Sequence, residues 1–340
     1  MTPTKNILIT GGAGYIGSVL VDKLYQAKMN FVKSNFFERN SGSFSQSPWS
    51  FHFSKLTVLD NLTYEQNGLT SHMYRDDFNF VRGDVRDQDL LHELVTDADI
   101  IVPLAALVGF PLCEQNPELA TEVNFEHIKF IVENSKKTAL IVYPNTNSGY
   151  GIGEKDVHCT EETPLNPISH YGRTKCKAEE VILESMKGIS LRLATVFGVS
   201  PRMRRDLLVN DFTFKALEDG YIVLFEKNFK RNFVHIHDVA LTFIFSMCSA
   251  DKMTGQAYNV GLSDTNFTKL QLAEKIKEHI PSFSIHADDI NSDPDKRDYI
   301  VSNEKLENLG WKCHYSLDDG IASVIKAYPL FSHRRKFSNV

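Results

Sequence analysis

Near the amino end an apolar run, Asn6-Ile7-Leu8-Ile9-Thr10, leads straight into Gly11-Gly12-Ala13-Gly14-Tyr15-Ile16-Gly17 and then into an apolar-periodic stretch reaching Leu24. A strand, a glycine turn and a helix in that order are the context in which glycines build a dinucleotide seat. The spacing is G-x-x-G-x-x-G, and it serves the same ends as G-x-G-x-x-G. It allows a tight turn, close approach of backbone to a pyrophosphate, and close packing of helix on strand. Free N–H groups at the helix start then face the phosphates. No lysine follows in the P-loop pattern, which argues against a nucleoside triphosphatase. Gly11, Gly14, Tyr15, Ile16 and Gly17 are therefore expected at a cofactor.

The 340 residues exceed one ordinary domain. In the amino half, apolar runs alternate with helical periodicity, as a parallel sheet covered on both faces requires. Strands are expected at 6–10, 56–60, 78–82, 100–104, 140–143 and 190–194, with helices at 15–27, 87–96, 117–135 and 169–186 between them. The carboxyl half reads as helices at 206–217, 239–248, 269–279 and 317–327, with short strands at 221–225 and 233–236. The fold expected is α/β: a Rossmann doubly wound parallel sheet with a smaller C-terminal α/β substrate-binding lobe. The NAD-binding domain is expected over 1–198, the lobe over 199–340, with 232–262 returning to the first domain. Residues 31–55 break the pattern. They are rich in serine and carry seven aromatics without helical periodicity, where a connection of a few residues is normal. A surface insert is expected there; a partner-binding flap is the sharper alternative.

Asp60 ends the second expected strand, where a carboxylate can accept from adenosine ribose hydroxyls and would repel a 2′-phosphate. Asn61-Leu62 adds no arginine, so NAD is favoured over NADP. Asp60 lies 43 residues beyond Gly17, where about 20 is usual. Removing the insert restores the normal distance. Asp84 and Val85, after the third strand, are placed to clamp the adenine edge. Leu104, Ala105 and Ala106 end the fourth strand with small residues that let backbone graze the cofactor.

Tyr171-Gly172-Arg173-Thr174-Lys175 places a phenol and an ammonium four residues apart, on one face of a helix. A free tyrosine, with a pKa near 10, is too weak a base at neutral pH. A neighbouring ammonium and a nicotinamide cation are both expected to favour the phenolate. Thr146, after the fifth strand, is the expected partner hydroxyl, with Ser148 second; both lie where open α/β sheets bind ligands. Together with the glycine turn, this set points to an oxidoreductase.

These residues resemble the extended short-chain dehydrogenase/reductase superfamily of nucleotide-sugar enzymes, the NAD-dependent epimerase/dehydratase family, of which UDP-glucose 4-epimerase is a member. The likeness runs from Asn6 to about Tyr328. Leu104-Ala-Ala-Leu-Val-Gly109, Tyr143-Pro-Asn-Thr-Asn-Ser-Gly-Tyr-Gly-Ile-Gly-Glu154, Ser200-Pro-Arg-Met-Arg204, Leu207-Leu-Val-Asn-Asp-Phe212 and Asp293-Pro-Asp-Lys-Arg-Asp-Tyr299 look most like the GDP-heptose 4-dehydrogenases of bacterial capsule synthesis. The resemblance implies that Tyr171 takes the C4 hydroxyl proton, Thr146 bonds the same oxygen, and Lys175 holds the nicotinamide ribose. It implies Asn124 near the cofactor, and Arg231 and Arg297 on the substrate diphosphate, which suits their forked guanidinium groups. Arg202, Arg204, Asn210, Asn147 and Ser148 are implied at the substrate. A homodimer through helices 117–135 and 169–186 is implied too.

Several reactions share this first step. A 4,6-dehydratase needs carboxylates beside the catalytic threonine, and Asn147 and Ser148 cannot act as an acid and base pair. A 3,5-epimerase needs another such pair; Cys113 and His170 are the nominees, against the simpler reading of Cys113 as a buried structural thiol. A 4-dehydrogenase, with a 2-oxoacid as a possible hydride acceptor, is chosen over a 4-epimerase on subfamily likeness. A non-catalytic dinucleotide sensor is disfavoured, because the chain keeps both tyrosine and lysine.

Composition narrows the partners. A formal charge of −6 and a pI near 6.1 give no general attraction to nucleic acid or anionic membrane. No apolar run is long enough to span a bilayer, and no signal-peptide pattern opens the chain. The five scattered cysteines show no metal-ligand spacing, so no metal and a reduced, cytoplasmic setting are expected.

Overall fold

The structure, a computed structural model, describes residues 5–41, 51–288 and 297–331. The apolar runs become the strands β1 (Asn6–Thr10), β2 (Lys55–Asp60), β3 (Phe78–Arg82), β4 (Ile100–Pro103), β5 (Leu140–Thr146), β6 (Gly188–Leu193) and β7 (Ala257–Val260). They form one 7-stranded sheet in the order β7-β6-β5-β4-β1-β2-β3, with every pairing parallel. This is the Rossmann doubly wound fold. The strand order reverses between β1 and β4, and that reversal opens a crevice at their carboxyl ends. Strand β7, Ala-Tyr-Asn-Val, is too short a run to stand out in the sequence.

The principal helices are α1 (Tyr15–Ser41), α2 (Gln88–Asp97), α3 (His127–Asn134), α4 (His170–Glu184), α5 (Leu208–Glu218), α6 (Ile236–Cys248), α7 (Lys269–His279) and α8 (Leu317–Phe331). On one sheet face Val19, Leu20 and Leu24 of α1 join Val239, Ala240 and Phe243 of α6 in a core with Ile7 and Ile9. On the other, Leu91, Val95, Ile128, Ile131, Ala178 and Ile182 meet Leu8, Ile101 and Ile141. Each fully buried aliphatic side chain of this kind contributes roughly 1.5–3 kcal/mol. Side-chain caps start the helices: Asp87 accepts from Leu90 N at 3.1 Å, and Ser169 Oγ from Gly172 N at 3.0 Å.

Two helices differ from expectation. Instead of one helix over 117–135, Pro117–Thr121 is followed by a π-helical segment, Glu122–Glu126, and then α3. Helix α1 runs on from Ala27 to Ser41, so the expected surface insert begins as helix. Continuing a helix adds one backbone hydrogen bond per residue and needs no apolar stripe. Residues 42–50 of the insert lie outside the described residues. Its far end belongs to the core: Phe51 N donates to Ala27 O at 3.3 Å, and Phe53 is fully buried. The Phe53 ring meets Tyr25 edge-on at 5.4 Å and carries the Lys28 ammonium 4.4 Å above it.

The smaller lobe is built on Tyr221–Phe225 paired in parallel with Ser284–Asp288. Helices α5, α7 and α8 cover it through Val209, Phe212, Leu272, Ile276, Leu317 and Ile321. The turn after β1 is sewn to the segment entering this lobe. Tyr15 OH donates to Gly198 O at 2.8 Å, and Ser200 Oγ donates to Tyr15 O at 2.7 Å.

Candidate active site

A cavity of about 970 Å³ opens at the strand-order reversal and extends between sheet and lobe. Gly11, Gly14, Tyr15, Ile16 and Gly17 line its floor. Gly11 has φ +69°, and a Cβ there would sit 2.5 Å from Ala105 N; a Cβ on Gly17 would sit 2.5 Å from Gly12 Cα. The first glycine therefore makes the turn and the last lets the helix close on it. Leu104, Ala105 and Ala106 face this turn across the crevice.

Asp60 is buried at the cavity wall. Its carboxylate accepts from Ala13 N at 3.0 Å, Leu62 N at 2.9 Å and Gln66 Nε2 at 3.1 Å. Burial pushes its carboxyl pKa up, against the pull of the Leu62 and Ala13 N–H groups and of Arg202. Asp84 accepts from Arg86 and Asn61, and the Arg86 side chain, as the largest cause, helps bring its pKa down to about 2. Asn61 and Val85 line the same end. These residues fit a dinucleotide: a glycine cradle that a side chain would fill, helix N–H groups for phosphate, and a carboxylate at the ribose position.

The other end gathers Tyr171, Lys175, Thr146, Ser148, Arg204 and Arg297. Tyr171 and Lys175 open α4, while Thr146 ends β5 and caps the following turn by accepting from Ser148 N at 3.1 Å. Thr146 Oγ1 also donates to Ser148 Oγ at 3.0 Å, and Arg297 donates to the same Ser148 hydroxyl. The electrostatics depart from the expectation of a phenol lowered by its lysine. Burial pushes Tyr171 up to about 12, and the cations that act against this are Arg204 and Arg297. Lys175 is itself brought down to about 7 by burial. A low-dielectric site disfavours both charged forms until they face one another or a further charge.

Arg231 and Arg202 line the cavity as buried guanidinium groups. Arg231 donates to Lys230 O at 2.9 Å and lies 5.6 Å from the Tyr299 ring; Arg202 stacks 4.1 Å over Tyr64. Arg204 pairs with Asp206 at 2.5 Å.

Some expected residues do not face the cavity. The Asn124 amide is engaged with Leu107: Oδ1 accepts from Leu107 N at 2.8 Å and Nδ2 donates to Leu107 O at 3.0 Å. It shapes the 104–109 segment, whose residues line the cavity. Asn210 is used in the same way, accepting from Gly198 N at 3.0 Å and donating to Arg204 O at 2.8 Å. Asn147 is buried away from the lining. His170 also lies outside the lining and bonds Pro117 O at 2.9 Å. Cys113 is buried and donates to Leu107 O at 3.2 Å.

Sequence reasoning missed Tyr64, Gln66, Tyr299 and Lys269, all of which line the cavity. It also missed Glu179 and Arg192; Arg192 shows as a charge inside the apolar strand Gly188–Leu193, and Glu179 as the residue four beyond Lys175 on the same helix face. Among the described residues no group of three or more His, Cys, Asp or Glu is placed to hold a metal ion. Among them, too, no helix is long and apolar enough to cross a membrane.

The chain has relatives over nearly its whole length. It is 25% identical over 334 residues to the low-salt glycan biosynthesis protein Agl12 of Haloferax volcanii, covering 95% of this chain and 98% of that one. Among solved structures, UDP-glucose 4-epimerase of Thermotoga maritima, determined with UDP-glucose, superposes with a TM-score of 0.76 at 22% identity, over 96% of this chain and 100% of that one. The dTDP-glucose 4,6-dehydratase of Bacillus anthracis, determined with NAD, gives 0.74 at 22% identity, over 98% and 99%. The sequence profile of the NAD dependent epimerase/dehydratase family matches residues 7–261. With that match spanning the glycine turn, β1 through β7 and the Tyr171–Lys175 helix, the chain belongs to the NAD dependent epimerase/dehydratase family.

Proposed function

We propose that this protein oxidises the C4 hydroxyl of a nucleotide-linked sugar, as a GDP-heptose-type 4-dehydrogenase of surface polysaccharide synthesis. The observation that carries the reading is that one cavity joins the glycine turn, the Tyr171–Thr146 pair and the two arginines Arg231 and Arg297. NAD, when bound, supplies the hydride acceptor. Gly11, Gly14, Gly17 and the start of α1 would hold its pyrophosphate, Asp60 its adenosine ribose, Asp84 and Val85 its adenine edge, and Lys175 its nicotinamide ribose. Arg231 and Arg297 hold the substrate diphosphate by bidentate contact. Thr146 donates to the C4 oxygen and Tyr171, as phenolate, receives its proton. Arg204 and Arg297 stabilise that phenolate.

Dehydration has little support. Among the described residues, the carboxylates lining the cavity are Asp60, Asp84, Asp206 and Asp211, each already bonded to a neighbour. The position after Thr146 is a buried amide, and the next is the Ser148 hydroxyl that Arg297 grips. The second reading is 4-epimerisation, in which the keto sugar turns over and takes the hydride back on its other face. It uses the same Tyr171, Thr146 and Lys175, all of which line the cavity, and asks for no further acid or base. The relative in Thermotoga maritima carries that activity in its name. In either reading the protein works in the cytoplasm as a homodimer. A 2-oxoacid would reoxidise the cofactor in the dehydrogenase.

The test is incubation of the NAD-loaded protein with a panel of GDP-, UDP- and dTDP-sugars, with and without a 2-oxoacid, and product identification by mass and NMR. A 4-keto product formed only with the 2-oxoacid supports the dehydrogenase; an inverted C4 without it supports the epimerase. Tyr171→Phe should lower turnover by about 10²–10⁴-fold with NAD affinity retained. An active Phe variant would overturn the assignment.

A further inference from the structure

Tyr171, Lys175 and Glu179 follow one another at four-residue steps on α4, so they share a face of the helix. The Glu179 carboxylate is almost wholly buried, two turns from the phenol. It accepts from Asn145 Nδ2 at 2.7 Å, Ser190 Oγ at 2.5 Å and Arg192 Nη2 at 2.7 Å, with Arg192 Nε at 3.1 Å. A carboxylate has about four acceptor sites, and these donors take them up. Asn145 and Arg192 are register partners on the adjacent strands β5 and β6, and Asn145 directly precedes Thr146. Arg192 also donates to Tyr150 OH at 3.1 Å, and Tyr150 OH donates to Asn259 Oδ1 of β7 at 2.7 Å.

Such a buried ion pair is weak evidence of stability, because apolar residues of similar volume are often as stabilising. What it supplies is direction. The apolar contacts of α4, Ala178 and Ile182, hold the helix on the sheet but resist sliding poorly, since hydrophobic attraction is non-directional. Hydrogen bonds fix distance and angle. A displacement of about 1 Å can cost a reaction about 10²-fold.

We propose that Glu179 is the positioning residue of this site: held by Asn145 and Ser190 and by Arg192 from two adjacent strands, it sets Tyr171 and Lys175 at their working distance from Thr146. The inference rests on the roles assigned to those three residues above. Glu179 touches neither substrate nor cofactor; it acts through the helix that carries the pair.

The test compares full-length, NAD-loaded Glu179→Gln and Ser190→Ala with the parent. Gln keeps the shape but turns an amide donor towards a set of donors, while Ala removes one donor from a residue outside the cavity. We expect kcat to fall about 10–100-fold in Glu179→Gln and about 3–10-fold in Ser190→Ala, with KM and NAD affinity within about twofold. Amide exchange over 170–176 should quicken in both. A kcat within about twofold of the parent in folded variants overturns the proposal, as does a parallel loss of kcat, KM and NAD affinity. If Glu179→Gln does not fold, Ser190→Ala decides alone. If the parent turns over no nucleotide sugar, the catalytic reading fails, and exchange in Ser190→Ala still judges the positioning: unchanged rates over 170–176 overturn it.

Discussion

The ammonium of Lys175 lies 4.1 Å from the centre of the Tyr143 ring, and the Tyr143 hydroxyl donates to the Lys175 carbonyl at 3.2 Å. The ring offers the cation its negative face, yet burial still brings the lysine down to about 7. In the unfolded chain the same group titrates near 10.4. Below about pH 7 the fold therefore carries the full cost of a buried charge, and that cost fades as pH rises towards 10.4. Lys175→Met should be inactive and yet more stable by about 1–3 kcal/mol at pH 6–7. Its advantage should shrink at pH 9–10. Thermal melts of both proteins across that range check it; a variant less stable at pH 6 contradicts it.

Arg204 and Arg297 are the cations that pull against the raised Tyr171 phenol. In the proposed reaction the phenolate is the proton acceptor, so removing one of these charges raises the phenol further and leaves less of the active form at a given pH. Arg204→Gln should move the acid limb of kcat/KM to higher pH and lower the rate at neutral pH. Rates measured from pH 6 to 10 decide it, and an unmoved limb would show that Arg204 does not act on the phenol.

Asp298 ties together Arg231 and Arg297, the two arginines proposed for the substrate diphosphate. It follows Arg297, and its Oδ1 accepts from Lys230 N, next to Arg231, at 2.8 Å. Its carbonyl accepts from Gly153 N at 2.8 Å. Losing one hydrogen bond to a charged group, worth about 1.5 kcal/mol, should raise KM for the nucleotide sugar roughly tenfold in Asp298→Ala. NAD affinity should not change. Calorimetric titration of each ligand separates the two, and equal loss of both would point to general unfolding of the lobe.

The seven-stranded core was legible because strands buried on both faces read as plain apolar runs, and six of the seven stood out. Ala257–Val260 did not, being four residues with a tyrosine and an asparagine among them. The glycine turn, Asp60, Tyr171, Lys175 and Thr146 were legible as placements at strand ends and helix starts, and all five line the cavity. Side-chain direction was not legible. Asn124 sits in a π-helical segment whose register departs from the 3.6-residue period, and it meets the Leu107 backbone. The extension of α1 was hidden for a different reason: Ser-Asn-Phe-Phe-Glu-Arg-Asn-Ser carries no apolar stripe, and periodicity finds only helices that bury one. The depressed lysine and raised phenol were unreadable as well, since they arise from burial, not from spacing.

Phe51 and Phe53 correct the bounds of the insert. Phe53→Ala should cost about 3–5 kcal/mol, so a deletion reaching it would unfold the protein. Lys28 is also worth keeping, for its pairing with Asp77 at 2.5 Å. Replacing residues 29–50 with two or three glycines should leave a folded protein with kcat within about twofold. Loss of activity in a folded variant would show that the excised stretch takes part in turnover.

That expectation follows from a closed loop: the chain departs at Ala27 and rejoins at Phe51, one hydrogen bond away. The core segments on either side of residues 29–50 are thus held together without them. A tag or tether inserted within that stretch leaves Ala27 and Phe51 at their native separation.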